Sequence, residues 1–81
     1  MRVAGNDLRF SLEGVLERLE RAEFGPVREH AVEVKGKYLP VKEAFALISG
    51  LDLLDFNTTQ ARTAFRKLGL KVIRQKRFKP L

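Results

Sequence analysis

Apolar residues recur at helical spacing in three separate stretches of this 81-residue chain, and the recurrence limits the folds that it can adopt. The first stretch follows Ser11, a residue type that caps helix N-termini, and Gly25-Pro26 interrupts the pattern. Glu17 and Arg21 stand four residues apart, the spacing of an ion pair on a helix surface. We therefore predict an amphipathic helix over about residues 12–23, with an apolar face formed by Leu12, Val15, Leu16 and Leu19.

Two further helices are indicated by the residues at their ends. Pro40 suits the first turn of a second helix of about ten residues, and Gly50 marks its end. Asn57 and Gln60 have the spacing of a capping box at the start of a third helix, which Gly69 closes. We expect Ala61, Ala64, Phe65 and Leu68 on the inner face of the third helix and Thr59, Gln60, Arg62, Thr63, Arg66 and Lys67 on its outer face.

Strand patterns occupy the segments before the second helix and after the third. Residues 30–34 alternate with period two, and Lys35-Gly36 separates them from Lys37-Tyr38-Leu39, which predicts a β-hairpin. Residues 70–74 are rich in β-branched side chains and predict a third strand. The element order is therefore α-β-β-α-α-β, an α+β domain with a three-helix core and a small antiparallel sheet. We expect a single domain over residues 1–81, with flexible ends at 1–6 and 77–81.

The segment between the second and third helices is apolar. Residues 51–56 contain four large apolar side chains, so we expect the segment to pack under the core. Asp52 and Asp55 interrupt it and suit turns.

The charge of the chain is divided unevenly along its length. Residues 1–34 carry five Lys and Arg against seven Asp and Glu, whereas residues 35–81 carry eleven against three. From residue 57 onward there is no Asp or Glu, although protein surfaces normally intersperse both signs. This part of the molecule suits a polyanion such as nucleic acid. Its basic residues are Arg62, Arg66, Lys67, Lys71, Arg74, Lys76, Arg77 and Lys79.

Composition and motifs give little support to catalysis. The chain has no cysteine and one histidine, His30, so neither a thiolate nucleophile nor a Cys-ligated zinc is available. Glu33-Val34-Lys35 matches half of a PD-(D/E)xK nuclease motif, but no Pro-Asp pair precedes it. We therefore expect a non-enzymatic protein with no metal and no cofactor. The lack of cysteines and of long apolar runs predicts a cytoplasmic protein.

The outer face of the third helix consists of side chains that can bind DNA. Arginine offers two parallel donors to guanine, glutamine pairs with adenine, and threonine binds phosphate. The same residue types also occur on helix faces that contact only water, and this alternative stays open. The tail places basic residues around Phe78, a pattern that follows a phosphate backbone or stays solvated. The candidate nucleic-acid-binding residues are Thr59, Gln60, Arg62, Thr63, Arg66, Lys67, Lys71, Arg74, Lys76, Arg77 and Lys79.

The segment from Thr59 to Ile73, a helix followed by a glycine and a strand, resembles the recognition helix and first wing strand of winged helix-turn-helix domains. The resemblance implies that the helix enters the major groove of double-stranded DNA, that Lys71 and Arg74 contact the backbone, and that the protein serves transcription regulation. The chain departs from this family in two ways. The connection between the second and third helices is longer than the usual 3 to 4 residues or so, and no second wing strand follows Arg74.

The middle of the chain carries a second resemblance. Its residues resemble the small N-terminal DNA-binding domain of HNH restriction endonucleases that cut modified DNA. This resemblance implies duplex binding with Tyr38 and Lys42 as contacts, without the nuclease itself, because its His-Asn-His set is absent. The residues that carry the resemblance are Phe24, Arg28, Val32–Val34, Gly36, Tyr38 and Lys42.

The first helix differs in charge from the rest of the chain. Glu13, Glu17, Glu20 and Glu23 would repel DNA, so we expect this face to point away from a duplex. It is available for a protein partner or for the second subunit of a homodimer. The alternative to DNA binding is a protein-interaction or RNA-associated module whose basic half docks an acidic partner. No membrane partner is expected.

Overall fold

The computed structural model describes residues 2–3, 5–7, 9–27 and 29–74. The predicted α+β class is confirmed, because three helices and a three-stranded antiparallel sheet follow the order α-β-β-α-α-β in a winged-helix-like layout. A pair of two-residue strands and a short 3₁₀ turn were not predicted. The elements are β1 (Arg2–Val3), β2 (Asn6–Asp7), α1 (Leu12–Arg21), β3 (His30–Val34), β4 (Lys37–Pro40), α2 (Val41–Ser49), the 3₁₀ turn (Leu53–Asp55), α3 (Thr58–Lys67) and β5 (Val72–Arg74).

The central strand of the sheet is β3, which lies between β4 and β5. It pairs with β4 through a two-residue turn whose Lys35 and Gly36 both have positive φ, 48° and 83°. Two left-handed residues are the preferred geometry of such a turn, and the predicted hairpin is confirmed. The last strand begins at Val72, two residues later than predicted. The reason is that the N–H of Leu70 ends α3 by donating to the Phe65 carbonyl at 3.0 Å.

The first helix begins where predicted and ends earlier. The Oγ of Ser11 accepts a hydrogen bond from the N–H of Gly14 at 3.2 Å, as expected of an N-cap. The predicted ion pair is present, with 3.3 Å between Arg21 Nη2 and Glu17 Oε1. The helix ends at Arg21 rather than near residue 23, because the backbone of Ala22 is already extended.

Phe45 lies at the centre of a core formed between the three helices and one face of the sheet. Its ring meets those of Phe10, Phe56 and Phe65 edge to face, at centroid distances of 6.0, 4.8 and 6.1 Å. Edge-to-face pairs add to the stabilisation that burial supplies. Leu12, predicted on the inner face of α1, is exposed. The buried residues of this core are Val15, Leu19, Val32, Val34, Val41, Ala44, Phe45, Ile48, Phe56, Ala61, Ala64 and Phe65.

The prediction that residues 51–56 pack under the core is correct only at the two ends of the segment. Phe56 is buried and Leu51 is half-buried against the core. Leu53 is 42% exposed and Leu54 is 93% exposed, so for these two leucines the prediction is wrong. A 3₁₀ turn completes a revolution every three residues or so, and its side chains therefore point in different directions. Asp52 selects this turn, since its Oδ1 accepts from the N–H of Leu54 at 3.2 Å.

Candidate nucleic-acid interface

The third helix is held at both ends by the hydrogen bonds that its sequence predicts. At the N-terminus, Asn57 Oδ1 accepts from the N–H of Gln60 at 2.8 Å, and Gln60 Oε1 accepts from the N–H of Asn57 at 3.0 Å. At the C-terminus, Gly69 has a φ of 86°, and the N–H of Leu70 reaches back to the Phe65 carbonyl. This is the Schellman geometry that commonly ends a helix at glycine. The orientation of the outer face is therefore set by both caps as well as by the buried face.

Thr59, Arg62, Thr63 and Arg66 occupy successive turns of α3 at the i, i+3, i+4 and i+7 positions, and we call them the α3 stripe. The stripe lies away from the buried Ala61, Ala64 and Phe65. Thr59 and Arg66 are exposed at its two ends, whereas the two middle residues are half-buried. The outer face is thus less open than the sequence predicts.

The two threonines of the stripe are linked to each other. The Oγ1 of Thr63 donates to the carbonyl oxygen of Thr59 at 2.9 Å, a bond within one helical turn. Its hydroxyl hydrogen is thereby used inside the helix, and the oxygen retains its acceptor capacity. Thr63 can accept a hydrogen bond from a ligand in this rotamer but has no proton to offer a phosphate.

Gln60, predicted as a reader of adenine, is a structural residue in this geometry. Its carboxamide oxygen is committed to the capping box, and the side chain is half-buried. Only its NH₂ group and the second lone pair of its oxygen remain for a ligand. Bidentate pairing with adenine needs both the oxygen and the nitrogen directed outward, so it would require the cap to open.

Arg62 is half-buried rather than fully on the outer face. Its Nε is buried, and no hydrogen-bond acceptor for it lies within the described part of the chain. Arg62 follows the buried Ala61 directly, so its side chain starts at the flank of the helix and not at the centre of the outer face. The guanidinium keeps four further N–H groups, which are the ones available to a ligand.

Arg66, Lys67 and Lys71 are the exposed cations at the C-terminal end of α3 and in the connection to β5. None of the three has a carboxylate partner in the residues that the structure describes. Exposed, unpaired cations keep their attraction for phosphate, because no local anion competes. These three residues are the exposed cations among the predicted contacts that have no carboxylate neighbour within the described residues.

Arg74 is exposed but has a carboxylate neighbour that sequence reasoning missed. Its Nε lies 3.5 Å from Glu29 Oε1, and the same oxygen lies 3.2 Å from His30 Nε2. The pairing of β3 with β5 places His30 opposite Arg74 and so brings Glu29 to the end of the basic segment. No local pattern in the sequence indicates a contact between residues so far apart in the chain.

Three of the predicted contacts in the tail, Lys76, Arg77 and Lys79, lie outside the described residues, as do Phe78 and Arg28. The expectations that the chain ends are flexible and that the tail follows a phosphate backbone stay predictions.

Tyr38 and Lys42, the contacts implied by the second resemblance, lie in different environments. Tyr38 on β4 is 47% exposed. Lys42 lies in the first turn of α2, with its Nζ 5.5 Å from the centroid of the Phe56 ring. A lysine over an aromatic face is held there by a cation–π interaction. Tyr38 is therefore the more accessible of the two.

The acidic side chains of α1 are exposed, and two of them are paired. Glu17 contacts Arg21 on the same helix, and the carboxylate of Glu20 lies 3.1 Å from Lys35 Nζ in the hairpin turn. A further arginine of α1, Arg18, donates from Nη1 to the carbonyl of Ile48 at 3.4 Å and so links α1 to the end of α2. The arginines of α1 are thus engaged locally and do not add to the surface of α3.

A groove of about 310 Å³ lies at the N-terminal ends of α2 and α3. Glu29, His30, Lys42 and Glu43 are among its polar lining residues. The Nδ1 of His30 is buried without a hydrogen-bond partner in the described residues. Two carboxylates at its wall oppose a phosphate, so the groove is not part of the basic surface.

Across the described ranges, no three His, Asp or Glu side chains cluster in a way that could hold a metal ion. Among the helices that the structure describes, none has the length and apolar character needed to cross a bilayer. Comparison of this chain with protein families, with curated proteins and with solved structures found no match.

Proposed function

We propose that this chain is a non-enzymatic protein that binds double-stranded DNA through α3, β5 and the basic tail. The observation that carries the proposal is the exposed set Arg66, Lys67 and Lys71, which has no carboxylate partner among the described residues and lies in a segment without Asp or Glu from residue 57 onward. Binding of DNA depends on neutralising phosphates with such side chains. The lack of cysteines favours action in the cytoplasm.

The fixed ends and buried face of α3 favour insertion of the helix into a DNA groove over non-specific electrostatic attraction. Both caps and the buried face define how the α3 stripe is presented. Thr59 and Arg66 at the ends of the stripe are seven residues apart, about 10 Å along the helix axis. The major groove of DNA is about 12 Å wide, which accommodates the diameter of an α-helix with its side chains, about 10 to 12 Å. We infer that Arg66 and the free N–H groups of Arg62 contact bases or adjacent phosphates, while Lys71 contacts the backbone.

The experiment that tests the proposal is a salt titration of binding to a duplex, a single strand and an RNA duplex of matched length and sequence. If about five basic side chains contact phosphates, log K plotted against log salt has a slope of about −4 to −5 for the DNA duplex. A slope near zero, or tighter binding to RNA than to DNA, would contradict the proposal. Preference for RNA would instead support the alternative of an RNA-associated module.

A matched pair of variants distinguishes DNA binding by the proposed surface from attraction by the total net charge of the protein. Arg66→Ala and Arg21→Ala each remove one exposed arginine, one on the α3 stripe and one on α1. We expect Arg66→Ala to reduce the magnitude of the salt slope by about one unit, because one phosphate contact is lost. Arg21→Ala should leave the slope close to that of the parent. Equal effects of the two variants would show that binding follows total charge only.

A further inference from the structure

The 3₁₀ turn carries an apolar side chain that the described residues leave almost fully exposed. Leu54 is 93% exposed, and Leu53 beside it is 42% exposed. The turn is fixed by two hydrogen bonds, from the N–H of Leu54 to Asp52 Oδ1 at 3.2 Å and from the N–H of Asp55 to the Asp52 carbonyl at 2.9 Å. Asp52 and Asp55 are both exposed, so Leu54 has an exposed carboxylate-bearing residue on either side of it in the turn. We call Asp52, Leu54 and Asp55 the leucine knob.

A pocket of about 130 Å³ with both apolar and charged walls lies on a different part of the molecule, between α1 and the β3–β4 hairpin. Leu19, Val34 and Leu39 supply its apolar walls, and Lys35 and Lys37 supply cations. Glu20 also lines it and is already paired with Lys35 at 3.1 Å. Lys37 has no carboxylate partner among the described residues. We call these residues the hairpin pocket.

The hairpin pocket suits the leucine knob in size and in charge. An apolar cavity of about 150 Å³ holds a benzene molecule, so 130 Å³ is enough for a leucine side chain. The knob carries two negative charges, and the pocket has a net positive charge from two lysines and one glutamate. Phosphate is an unsuitable neighbour for the knob, because Asp52 and Asp55 would repel it.

We propose that Leu54 of one copy of this chain inserts into the hairpin pocket of a second copy, with Asp52 and Asp55 facing Lys35 and Lys37. The two surfaces are different patches of the same molecule, so the contact is heterologous and each copy can bind one neighbour on either side. Neither patch contains a residue of the α3 stripe or of β5. The association is therefore independent of the proposed DNA binding, and on a duplex it would link adjacent copies.

The test uses sedimentation velocity of the full chain in buffer free of nucleic acid, over protein concentrations from about 10 μM to 1 mM, a range suited to a weak contact. Leu54→Ser removes the knob and leaves the pocket, whereas Lys37→Glu spoils the pocket and leaves the knob. Both residues are exposed, so we expect both variants to fold, which circular dichroism melts would verify. Each variant alone should associate at least about tenfold more weakly than the parent.

A mixture of the two variants gives the decisive result. A heterologous contact needs one intact knob and one intact pocket, so the mixture should form a 1:1 dimer and grow no further. The parent should form larger species, and added salt should weaken them because the lysine–aspartate pairs are screened. The proposal is overturned if the parent stays monomeric to about 1 mM, if either variant associates like the parent, or if the mixture stays monomeric. A leucine-to-leucine dimer would appear as loss in Leu54→Ser with no loss in Lys37→Glu.

Discussion

Asn57 and Gln60 each accept a hydrogen bond from the other's backbone N–H, at 2.8 Å to Asn57 Oδ1 and 3.0 Å to Gln60 Oε1. This reciprocal pair satisfies two donors that would otherwise lack partners at the start of α3. It also commits the side chain that could otherwise read adenine to holding the helix in place. The beginning of the proposed DNA-binding helix is therefore defined before any ligand binds.

Replacing Asn57 by alanine should destabilise the fold. The variant loses the side-chain acceptor at the N-cap, and we expect a loss of about 1 kcal/mol in the free energy of unfolding. Asn57→Ser is the matched control, because serine caps as well as asparagine. Urea unfolding followed by circular dichroism measures both. Equal stability of Asn57→Ala and the parent would contradict the capping geometry.

Replacing Phe65 by alanine should be among the most damaging single changes in the described core. The ring is fully buried and packs edge to face on Phe45, at 6.1 Å between centroids. We expect a loss of about 3 to 5 kcal/mol, a large share of what so small a domain has. Leu54→Ala is the control, since an exposed leucine makes few contacts, and it should melt close to the parent. A Phe65→Ala variant that melts like the parent would show that α3 is rotated relative to this structure.

Variants in α3 and in the tail should affect DNA binding differently. Replacing Arg62 by alanine should change which duplex sequence is preferred, by about 1 to 3 kcal/mol for a lost base contact, whereas Gln60→Ala should act through the helix cap. Replacing Lys76 or Arg77 should weaken binding to all sequences alike and flatten the salt slope by about one unit. Binding of each variant to a panel of duplexes measures the difference. If only the tail variants matter, the outer face of α3 contacts water and not bases.

The free energy of unfolding should be measured for Gln60→Ala alongside its binding, because this change also removes half of the capping box. A loss of affinity that follows a loss of stability would assign Gln60 to the cap alone. Arg62→Ala makes no such change to the cap and is the cleaner test of base contact.

Replacing Glu29 by glutamine should strengthen binding to DNA. The carboxylate of Glu29 lies 3.5 Å from Arg74 Nε, so its removal frees that arginine for phosphate. We expect the salt slope to become steeper by about one unit and the affinity at low salt to rise. Glu23→Gln, the matched control, removes an exposed carboxylate that has no ion pair within the described residues, and its effect on the slope should be small. Equal gains in the two variants would attribute the effect to net charge.

The sequence alone determined the parts of this protein that depend on residues close together in the chain. The capping box, the glycine end of α3 and the two-residue hairpin turn each involve residues within about six positions of one another, and local patterns predicted all three. The buried face of α3 followed from helical periodicity, because Ala61, Ala64 and Phe65 repeat at the spacing of one helix face. These features set the fold class and the element order.

Tertiary structure alone decided the features that depend on which distant segments meet. Glu29 reaches Arg74 only because β5 pairs with β3, and the sequence separation of 45 residues leaves no local trace of this contact. Arg62 is half-buried with its Nε buried, although helical periodicity alone places it on the outer face. Leu54 points into solvent because the geometry of the 3₁₀ turn directs it away from the core, although its apolar character predicts burial. The burial of a side chain and its contacts with residues distant in the sequence depend on how the whole chain packs. Residue type and local spacing therefore do not predict them.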